Sequence, residues 1–339
     1  MSVRLPRPVG AASSGNQTKN AGALYDVAAA ETLWRTVYDR AATAGRIASE
    51  VDAVFRMTEP SGEEYLLRIT DNRDGTADLQ AAVLDHIAAT EPNLPVPRIR
   101  RSADGNAVVA VTSVHGDPFA AFSTTFLAGK PLAALASSRE MPNRIFRLLS
   151  QLDRSMSGFS HPRAKRSLLW DVSRADQILP LIDAIPAAAL RVLVEHAVDD
   201  WTTRAAPVLP ELPRQVIHND FNPSNLLVTD DGEISGIIDF GDAIEAPRIC
   251  DLATAIAYQE PAGGFDALIA TAVEIYDHTL SLTPEEIAIL PVLVRARAAM
   301  VVAITHWRAA QHPGNQAYLL RNVPLATCLL EAAAQSPAS

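Results

Sequence analysis

The stretch of sequence that decides the fold runs from residue 215 to residue 253 and reads QVIHNDFNPSNLLVTDDGEISGIIDFGDAIEAPRICDLA. It contains three short apolar runs, each of which predicts a β-strand: residues 216–217, 226–228 and 236–238. The turn residues TDDGE separate the second run from the third. We therefore expect the three strands to bring Asp220, Asn225 and Asp239 to the same edge.

These three side chains carry the oxygen atoms that phosphoryl transfer needs. Mg²⁺ prefers hard oxygen ligands and bridges nucleotide phosphates with the help of only one or two protein groups. A separate carboxylate must accept the proton of the attacking hydroxyl, and the spacing His-x-Asp-x4-Asn followed by Asp-Phe-Gly is typical of kinases. The pattern predicts Asp220 as the catalytic base and Asn225 and Asp239 as the magnesium ligands. The alternative is an ordinary asparagine-rich turn before a hairpin.

A second triplet, His115-Gly116-Asp117, imitates the start of this pattern. Five residues after Asp117 stands Phe122, which cannot bind a metal ion. No strand-ending aspartate follows at a distance comparable to that of Asp239. We therefore interpret the triplet as a turn.

Upstream of the central stretch, residues 45–127 are typical of a small α/β lobe. Residues 28–45 carry apolar side chains at helical spacing, and the predicted buried face consists of Leu33, Trp34, Val37 and Tyr38. Strands are predicted at residues 51–57, 65–70, 107–114 and 121–127. The turn residues EPSGEE join the first two strands into a hairpin. A helix is predicted around residues 77–90.

Downstream of Pro131, long helical patterns dominate. They predict helices at residues 144–156, 173–184, 187–205, 264–280, 284–310 and 325–334. A small sheet lobe followed by a helical lobe indicates a bilobal α+β protein with a cleft between the lobes. We predict four segments: a flexible leader at residues 1–22, a nucleotide-binding lobe at 23–128, a helical lobe with the catalytic loop at 129–333 and a flexible tail at 334–339.

The composition argues against several classes of protein. The 29 basic and 39 acidic residues give a formal net charge of −10, which argues against a nucleic-acid partner. The two cysteines, Cys250 and Cys328, form no CxxC pair, so neither a disulfide framework nor a thiolate zinc site is expected. No run of 18 apolar residues predicts a membrane span, and no apolar run predicts a signal peptide. We expect a cytoplasmic protein.

The motifs resemble those of a known family. The residues that carry the likeness are His218-x-Asp220-x4-Asn225, Ile238-Asp239-Phe240-Gly241-Asp242 and Pro247-x3-Asp251-Leu252-Ala253. They resemble the aminoglycoside phosphotransferase and choline kinase superfamily, and the segments VIHNDFNPSN, GIIDFGD and HWRAAQHPGNQAYL are most similar to its hydroxylysine kinase-like branch. The resemblance implies a protein-kinase-like bilobal fold with a small antiparallel-sheet lobe and a mainly helical lobe. It also implies Mg²⁺ as cofactor and ATP or GTP as phosphoryl donor.

The resemblance assigns phosphate contacts in the smaller lobe. Arg68 stands where the family usually has a phosphate-contacting lysine; the alternative is a solvent-facing strand arginine. Asp78 is the predicted acidic partner on the following helix, with Gln80 and Asp85 as competitors.

The remaining nucleotide contacts are predicted on loops. Ser49 and neighbouring amides are expected to cover the phosphates, although Ala53 and Val54 stand where the branch motif carries amide side chains. The segment 124–129 resembles the hinge between the lobes, whose backbone contacts the nucleotide base. Its predicted contact residues are Thr125, Phe126 and Leu127.

Two residues near the catalytic loop have predicted structural roles. His218 is expected to hold the loop through hydrogen bonds, and the alternative is a general base. The resemblance implies that Asp251 is a buried carboxylate that accepts hydrogen bonds from the amides of this loop.

Acceptor recognition is predicted in the helical lobe. Asp242 and Glu245 follow the metal-binding aspartate and are candidates to bind a cationic amine. Trp307, Arg308 and Tyr318 belong to a late polar and aromatic cluster, in which Arg308 is a candidate to bind a carboxylate. The alternative for Trp307 and Tyr318 is a role in the core.

Three functional hypotheses follow. The first is a kinase that phosphorylates the hydroxyl of an amino alcohol or hydroxy amino acid, with 5-hydroxylysine implied by the resemblance. The second keeps this reaction and changes the acceptor to an aminoglycoside, choline, ethanolamine or homoserine. The third is a catalytically inert nucleotide-binding pseudokinase, favoured only by the altered Ala53-Val54 loop. The sequence predicts neither the oligomeric state nor the choice between ATP and GTP.

Overall fold

The smaller lobe is built on a six-stranded antiparallel sheet in a computed structural model that describes residues 21–49, 52–113, 115–135 and 140–336. The strands are β1 (Thr43–Ile47), β2 (Ala53–Thr58), β3 (Glu64–Thr70), β4 (Ile99–Arg100), β5 (Val108–Thr112) and β6 (Pro118–Thr125). Their order is β1-β2-β3-β6-β4, and β5 also pairs with β6. The helices of this lobe are α1 (Ala21–Leu24), α2 (Val27–Tyr38) and α3 (Thr76–Thr90).

Strand β3 shows how the sheet positions the residues of the cleft. Successive side chains of a strand point to opposite faces. Leu67 and Ile69 are therefore buried together in the core that contains Trp34 of α2. Arg68, which stands between them in sequence, faces the cleft between the lobes.

Helix α2 is shorter than its apolar spacing indicates. It ends at Tyr38 because Asp39 has a φ of 50°, in the left-handed region, and the chain then turns back to form β1 beside β2. The helical pattern read over residues 28–45 is therefore wrong after Tyr38, and residues 43–45 belong to β1. Trp34, Val37 and Tyr38 are buried as predicted, whereas Leu33 is half-buried.

The other predicted elements of this lobe are present. The hairpin β2–β3 and helix α3 are confirmed, although the first predicted strand begins at residue 51, outside the described residues. The triplet at residues 115–117 lies in the turn between β5 and β6, where Gly116 has a φ of 83°. Most of the predicted leader also lies outside the described residues, and α1 begins at Ala21.

The larger lobe is mainly helical. Its helices are α4 (Met141–Ser155), α5 (Ala188–Asp200), α6 (Ile249–Ile256), α7 (Phe265–Asp277), α8 (Pro284–Gln311), α9 (Gln316–Leu319) and α10 (Val323–Ala334). The α-helix predicted at residues 173–184 is instead a series of 3₁₀ turns, because Pro180 lies inside it and Arg174 has a non-helical backbone. The predicted tail begins at the last residue of α10, and residues 337–339 lie outside the described part.

Helix α8 is the central helix of the larger lobe. It begins with a capping box in which Glu286 N donates to Thr283 Oγ1 and Thr283 N donates to a Glu286 carboxylate oxygen. By length and composition it could cross a membrane, but 78% of its most apolar window is buried inside the protein. Packing in the lobe therefore explains its apolar character.

The strands around the catalytic loop form two separate ladders. Strand β9 (Leu226–Val228) pairs with β10 (Ile234–Ile237) and β7 (Lys130–Pro131), whereas β8 (Arg214–Ile217) pairs with β11 (Ile244–Pro247). The predicted strand at residues 216–217 lies in β8, so the expectation that it shares one sheet edge with the other two predicted strands is wrong. Because β9 and β10 are antiparallel, the start of β9 and the end of β10 still lie at the same end of their hairpin.

A Gly129→Ala substitution is expected to destabilise the junction between the lobes. Gly129 has a φ of 144°, and an added Cβ would lie 2.6 Å from Ser235 Oγ and 3.0 Å from the Val228 carbonyl oxygen. Strain and overpacking of this kind cost about 1–3 kcal/mol each. Urea unfolding measures the loss. A Gly232→Ala control has a positive φ and open space around its Cβ, so an equal loss in both variants would contradict the steric explanation.

Candidate active site

The backbone of the catalytic loop is held by a buried carboxylate. Asp251, in the first turn of α6, accepts hydrogen bonds from the amides of His218 and Asn219, both at 2.7 Å. Asn219 has a φ of 66°, and this left-handed turn directs both amides toward the same carboxylate. The contact predicted for Asp251 is therefore present.

His218 ties this loop to the loop that follows β10. Its Nε2 lies 3.1 Å from the Ile238 carbonyl oxygen, and the Asp220 amide donates to its Nδ1 at 3.3 Å. With both ring nitrogens engaged by backbone groups, the histidine is placed for the predicted structural role. Nothing in this geometry favours the alternative of a general base.

A second buried carboxyl group, that of Asp153, lies close enough to Asp251 for the two to interact electrostatically. Asp153 of α4 is fully buried, and its Oδ2 accepts a hydrogen bond from Tyr276 Oη at 2.6 Å. Burial and the nearby Asp251 charge raise the pKa of Asp153 well above its ordinary value. Burial also raises the pKa of Asp251, and the His218 charge and the hydrogen bonds from the His218 and Asn219 amides act against that rise.

Asp220 is held by donors on both of its oxygens. Its Oδ1 accepts from Asn222 Nδ2 at 2.8 Å and from Arg297 Nη2 at 3.3 Å. Its Oδ2 accepts from Asn225 Nδ2 at 2.7 Å. Burial raises the pKa of Asp220, and the Arg297 charge acts against that rise. The carboxylate is thus fixed in orientation, with a basicity above that of an ordinary aspartate.

Asn225 and Asp239 have the donor atoms that Mg²⁺ requires. The Asn225 amide nitrogen donates to Asp220, so Oδ1 is the atom that this side chain could offer to a metal ion. Asp239 has a φ of 63°, and 49% of its side chain is exposed in the cleft. The described residues contain no cluster of three or more His, Cys, Asp or Glu arranged for a metal. A cation bound here would therefore complete its coordination with oxygens of water or phosphate.

A cavity of about 910 Å³ lies between the lobes. It is lined by most of the residues predicted to contact nucleotide: Ser49, Arg68, Thr125, Phe126 and Leu127. Asp239 lines the same cavity, so the candidate metal ligand faces the space for a triphosphate.

The prediction that Asp78 is the acidic partner of Arg68 is wrong. Asp78 is exposed, accepts a hydrogen bond from Asn72 Nδ2 at 2.7 Å and is not among the residues that line the cleft. Helix α3 instead presents Thr76, Gln80 and Leu84 to the cleft, at the four-residue spacing of one helix face. Asp78 lies about 200° from Thr76 around the helix, on the opposite side.

Arg68 pairs with other carboxylates. Its Nη1 lies 3.5 Å from Asp52 Oδ2 and 3.7 Å from Asp239 Oδ1. Asp85, the other competitor for this role, pairs with Arg101. The guanidinium of Arg68 therefore stands beside the candidate metal site, and the alternative of a solvent-facing arginine does not describe it.

A second cavity of about 170 Å³ opens beside Asp220 in the larger lobe. It is lined by Trp170, Asp220, Asn222, Tyr258, Val301, Thr305, Arg308, Tyr318, Leu319, Arg321 and Asn322. Arg308 and Tyr318, two of the residues predicted to contact the acceptor, thus line one cavity together with Asp220.

The other predicted acceptor residues lie elsewhere. Trp307 packs against the hydrophobic core, because it is one residue from Arg308 and points to a different side of α8. Asp242 lines the larger cleft, and Glu245 lies opposite Val216 in the β8–β11 ladder. These three predicted acceptor contacts therefore lie outside the cavity that Asp220, Arg308 and Tyr318 line.

Asp242 instead belongs to the acidic wall of the nucleotide cleft. Burial, followed by the charges of Asp220 and Asp239, raises its pKa to about 6. Arg166 opposes this effect. The Arg166 guanidinium also donates to the carbonyl oxygens of Gly241 and Ala243 and, at 2.9 Å, to Thr76 Oγ1 of α3. Arg166 thus joins the loop after Asp239 to the smaller lobe.

In buffer without divalent cations, the protein is expected to lose stability relative to an Asp242→Asn variant as the pH rises from about 4 to about 6. The folded-state pKa of about 6 exceeds the ordinary 3.8, so the folded protein binds this proton more tightly than the unfolded chain. The stability contributed by protonated Asp242 is complete below a pH of 3.8 and disappears above a pH of about 6. Urea unfolding at about pH 4 and about pH 7 measures it. A pH-independent difference between the two proteins would contradict the assignment.

Sequence reasoning missed most residues of the second cavity and its surroundings, among them Trp170, Tyr258, Arg297 and Arg321. Arg297 could have been found from the sequence, because it lies inside a long apolar helix. A buried arginine there needs a partner of opposite charge. It is fully buried, stacks on the Trp170 ring and donates to Asp220. The other three have no local sequence signal.

Comparison with protein-family models matches residues 43–290 to the family described as "Phosphotransferase enzyme family". The chain is 22% identical to hydroxylysine kinase of Mus musculus over 275 residues, which cover 76% of this chain and 73% of that protein. It is 30% identical to homoserine kinase of Methylocella silvestris over 258 residues, covering 71% and 72%. Among solved structures, a microcompartment-associated aminopropanol kinase is similar with a TM-score of 0.67 and 19% identity. That similarity covers 91% of this chain and 97% of that one.

Proposed function

Because the chain belongs to the phosphotransferase enzyme family, we propose that it transfers the γ-phosphoryl group of ATP or GTP to a hydroxyl of a small amino alcohol or hydroxy amino acid. The family match confirms the resemblance, the protein-kinase-like bilobal fold and the general activity of a small-molecule kinase. One observation carries the proposal. Asp220 lines the smaller cavity, and its charge interacts with Asp239, which lines the larger one.

The larger cavity is proposed to bind the donor. Its volume of about 910 Å³ suits a nucleotide, because pockets for ligands of that size measure about 300–1,000 Å³. Arg68 would contact the phosphates, and Asn225 and Asp239 would hold Mg²⁺. When bound, the metal ion would neutralise charge on the phosphate oxygens.

Asp220 is proposed to act as the catalytic base. The acceptor oxygen forms a bond to the γ-phosphorus, the bond from that phosphorus to the bridging oxygen breaks, and a nucleoside diphosphate leaves. The hydroxyl proton passes to Asp220, whose raised pKa makes it a better acceptor of that proton. Arg297, Asn222 and Asn225 hold the carboxylate toward the acceptor cavity.

The proposed acceptor is supported by two relatives and by size. Hydroxylysine kinase and homoserine kinase are both named for hydroxy amino acids. A volume of about 170 Å³ suits a molecule of that size better than a multi-ring aminoglycoside. Choline and ethanolamine remain the alternative acceptors. Asp220, Asn225 and Asp239 are all present, which disfavours the inert pseudokinase.

We also propose a cytoplasmic location, from the absence of paired cysteines in the sequence.

A nucleotide-release assay tests the proposal. ATP and GTP would each be combined with 5-hydroxylysine, L-homoserine, ethanolamine, choline and an aminoglycoside in the presence of Mg²⁺. We expect acceptor-dependent release of the diphosphate with a hydroxy amino acid. Stabilisation by nucleotide and Mg²⁺ without turnover on any acceptor would favour the inert pseudokinase.

A further inference from the structure

The second cavity contains Arg308, the one basic residue that the sequence predicts for the acceptor, and neither of the predicted amine-binding acids, Asp242 and Glu245. Among the described residues that line it, Asp220 is the only acid, whereas Arg308 and Arg321 supply two positive charges. A third arginine, Arg297, contacts Asp220 from the core of the lobe. The surroundings are therefore suited to an anionic group of the acceptor.

We infer that the cavity selects acceptors that carry a carboxylate in addition to the hydroxyl, and that Arg308 and Arg321 bind this carboxylate. The inference rests on the proposed function, which it narrows from amino alcohols in general to hydroxy acids and hydroxy amino acids. Arginine suits this task because its planar guanidinium donates two parallel hydrogen bonds to the two oxygens of a carboxylate.

Arg321 is positioned before any acceptor binds. Its Cζ lies 3.8 Å from the centroid of the Tyr318 ring, and its Nη1 donates to the Tyr318 carbonyl oxygen at 2.8 Å. The residue is exposed, yet its guanidinium is held at the entrance of the cavity. A side chain held in this way loses little conformational freedom when it binds an anion.

Arg308 faces the same space from α8. It follows Thr305 by three residues, so the two side chains lie on one face of the helix, and both line the cavity. Tyr258 also lines the cavity. Burial raises its pKa, while the charges of Arg297 and Arg321 act against that rise. The neutral phenol hydroxyl is thus within electrostatic reach of both the catalytic base and the arginine at the entrance.

Size and charge together exclude polycationic acceptors. The volume of about 170 Å³ lies below the roughly 300 Å³ at which pockets for drug-sized ligands begin. An aminoglycoside exceeds this space, and its ammonium groups would be repelled by two arginines. A hydroxy amino acid places its hydroxyl at Asp220 and its carboxylate toward the arginines.

The test compares acceptors that differ only in the carboxylate. L-Homoserine and 3-aminopropan-1-ol form one such pair, and 5-hydroxylysine and 1,5-diaminopentan-2-ol form another. We expect the wild-type protein to have a kcat/KM at least about tenfold higher for the carboxylate-bearing member of a pair. An Arg321→Met variant is expected to raise the KM for that member about ten- to hundredfold, with kcat nearly unchanged. The KM for the other member should not rise.

Two further variants sharpen the result. Arg321→Glu should favour the member without the carboxylate, because a negative charge replaces the positive one at the entrance. Arg101→Met removes an exposed arginine that pairs with Asp85 and lines neither cavity, and it should keep the wild-type kinetics.

Equal kcat/KM for both members of a pair would overturn the inference and leave the kinase assignment intact. An Arg321→Met variant that keeps the wild-type preference would also overturn it. Absence of turnover on every acceptor, with either nucleotide, would instead contradict the proposed function and the inference that rests on it.

Discussion

An Asp220→Asn variant is expected to lose turnover and to keep nucleotide binding. General-base catalysis contributes about 10²–10⁴-fold to a rate, and an amide cannot take the acceptor's proton, so kcat should fall by about that factor. Asp220 lines the acceptor cavity and is not among the residues that line the nucleotide cleft. The affinity for nucleotide should therefore be retained. Diphosphate release measures kcat, and calorimetric titration measures the affinity.

The control for this variant comes from the triplet that imitates the catalytic motif. Asp117→Asn makes the same chemical change in the turn between β5 and β6 and should leave kcat unaltered. The free energy of unfolding should be measured for both variants, because Asn222, Asn225 and Arg297 each donate a hydrogen bond to Asp220. Wild-type kcat in the Asp220→Asn variant would refute its role as the base.

An Asp251→Ala variant is expected to show the largest loss of stability. It removes the acceptor of the hydrogen bonds from the amides of His218 and Asn219. Each buried donor left without a partner costs about 1–3 kcal/mol, so the free energy of unfolding should fall by roughly 2–6 kcal/mol. Urea unfolding measures this loss. Turnover should fall as well, because the same amides fix the loop that carries Asp220.

Two control variants test whether the loss of stability is specific to the Asp251 carboxylate. Asp251→Asn keeps one acceptor oxygen and should show an intermediate loss. Asp104→Ala changes an exposed residue and should alter the free energy of unfolding by less than about 0.5 kcal/mol. An Asp251→Ala variant as stable as the Asp104→Ala control would show that the loop does not depend on this carboxylate.

The sequence predicts that the residues of the central motif come together, because that information is local. Asp220, Asn225 and Asp239 lie within 20 residues of one another, and short strands and turns between them leave few arrangements. The alternation along β3 likewise predicts that Arg68 faces away from the core. Motif spacing was sufficient for the first three residues, whereas the role of Arg68 came from the family resemblance.

The helix opposite Arg68 shows an error that the same periodicity could have prevented. Asp78 was chosen for its charge, although Thr76, Gln80 and Leu84 share the helix face that lines the cleft. The spacing of buried residues along α3 would have favoured Gln80, which is itself buried.

The acceptor side could not be predicted in this way, because its residues meet through tertiary packing. Arg297 contacts Asp220 across 77 positions of the sequence, and Trp170 contacts Arg297 across 127. No spacing rule links such positions. The sequence indicated two acids, Asp242 and Glu245, together with Arg308. Packing of α8 against the catalytic loop adds Arg297 beside Asp220, and both acids lie outside the smaller cavity.

The two cavities share no lining residue. Most of the smaller one is formed by residues 301–322, a continuous segment that supplies neither the proposed metal ligands nor Arg68. Changes in this segment can therefore redirect the enzyme to a new alcohol without altering its choice of nucleotide. Natural divergence or laboratory evolution of such a kinase would be expected to concentrate its substitutions there.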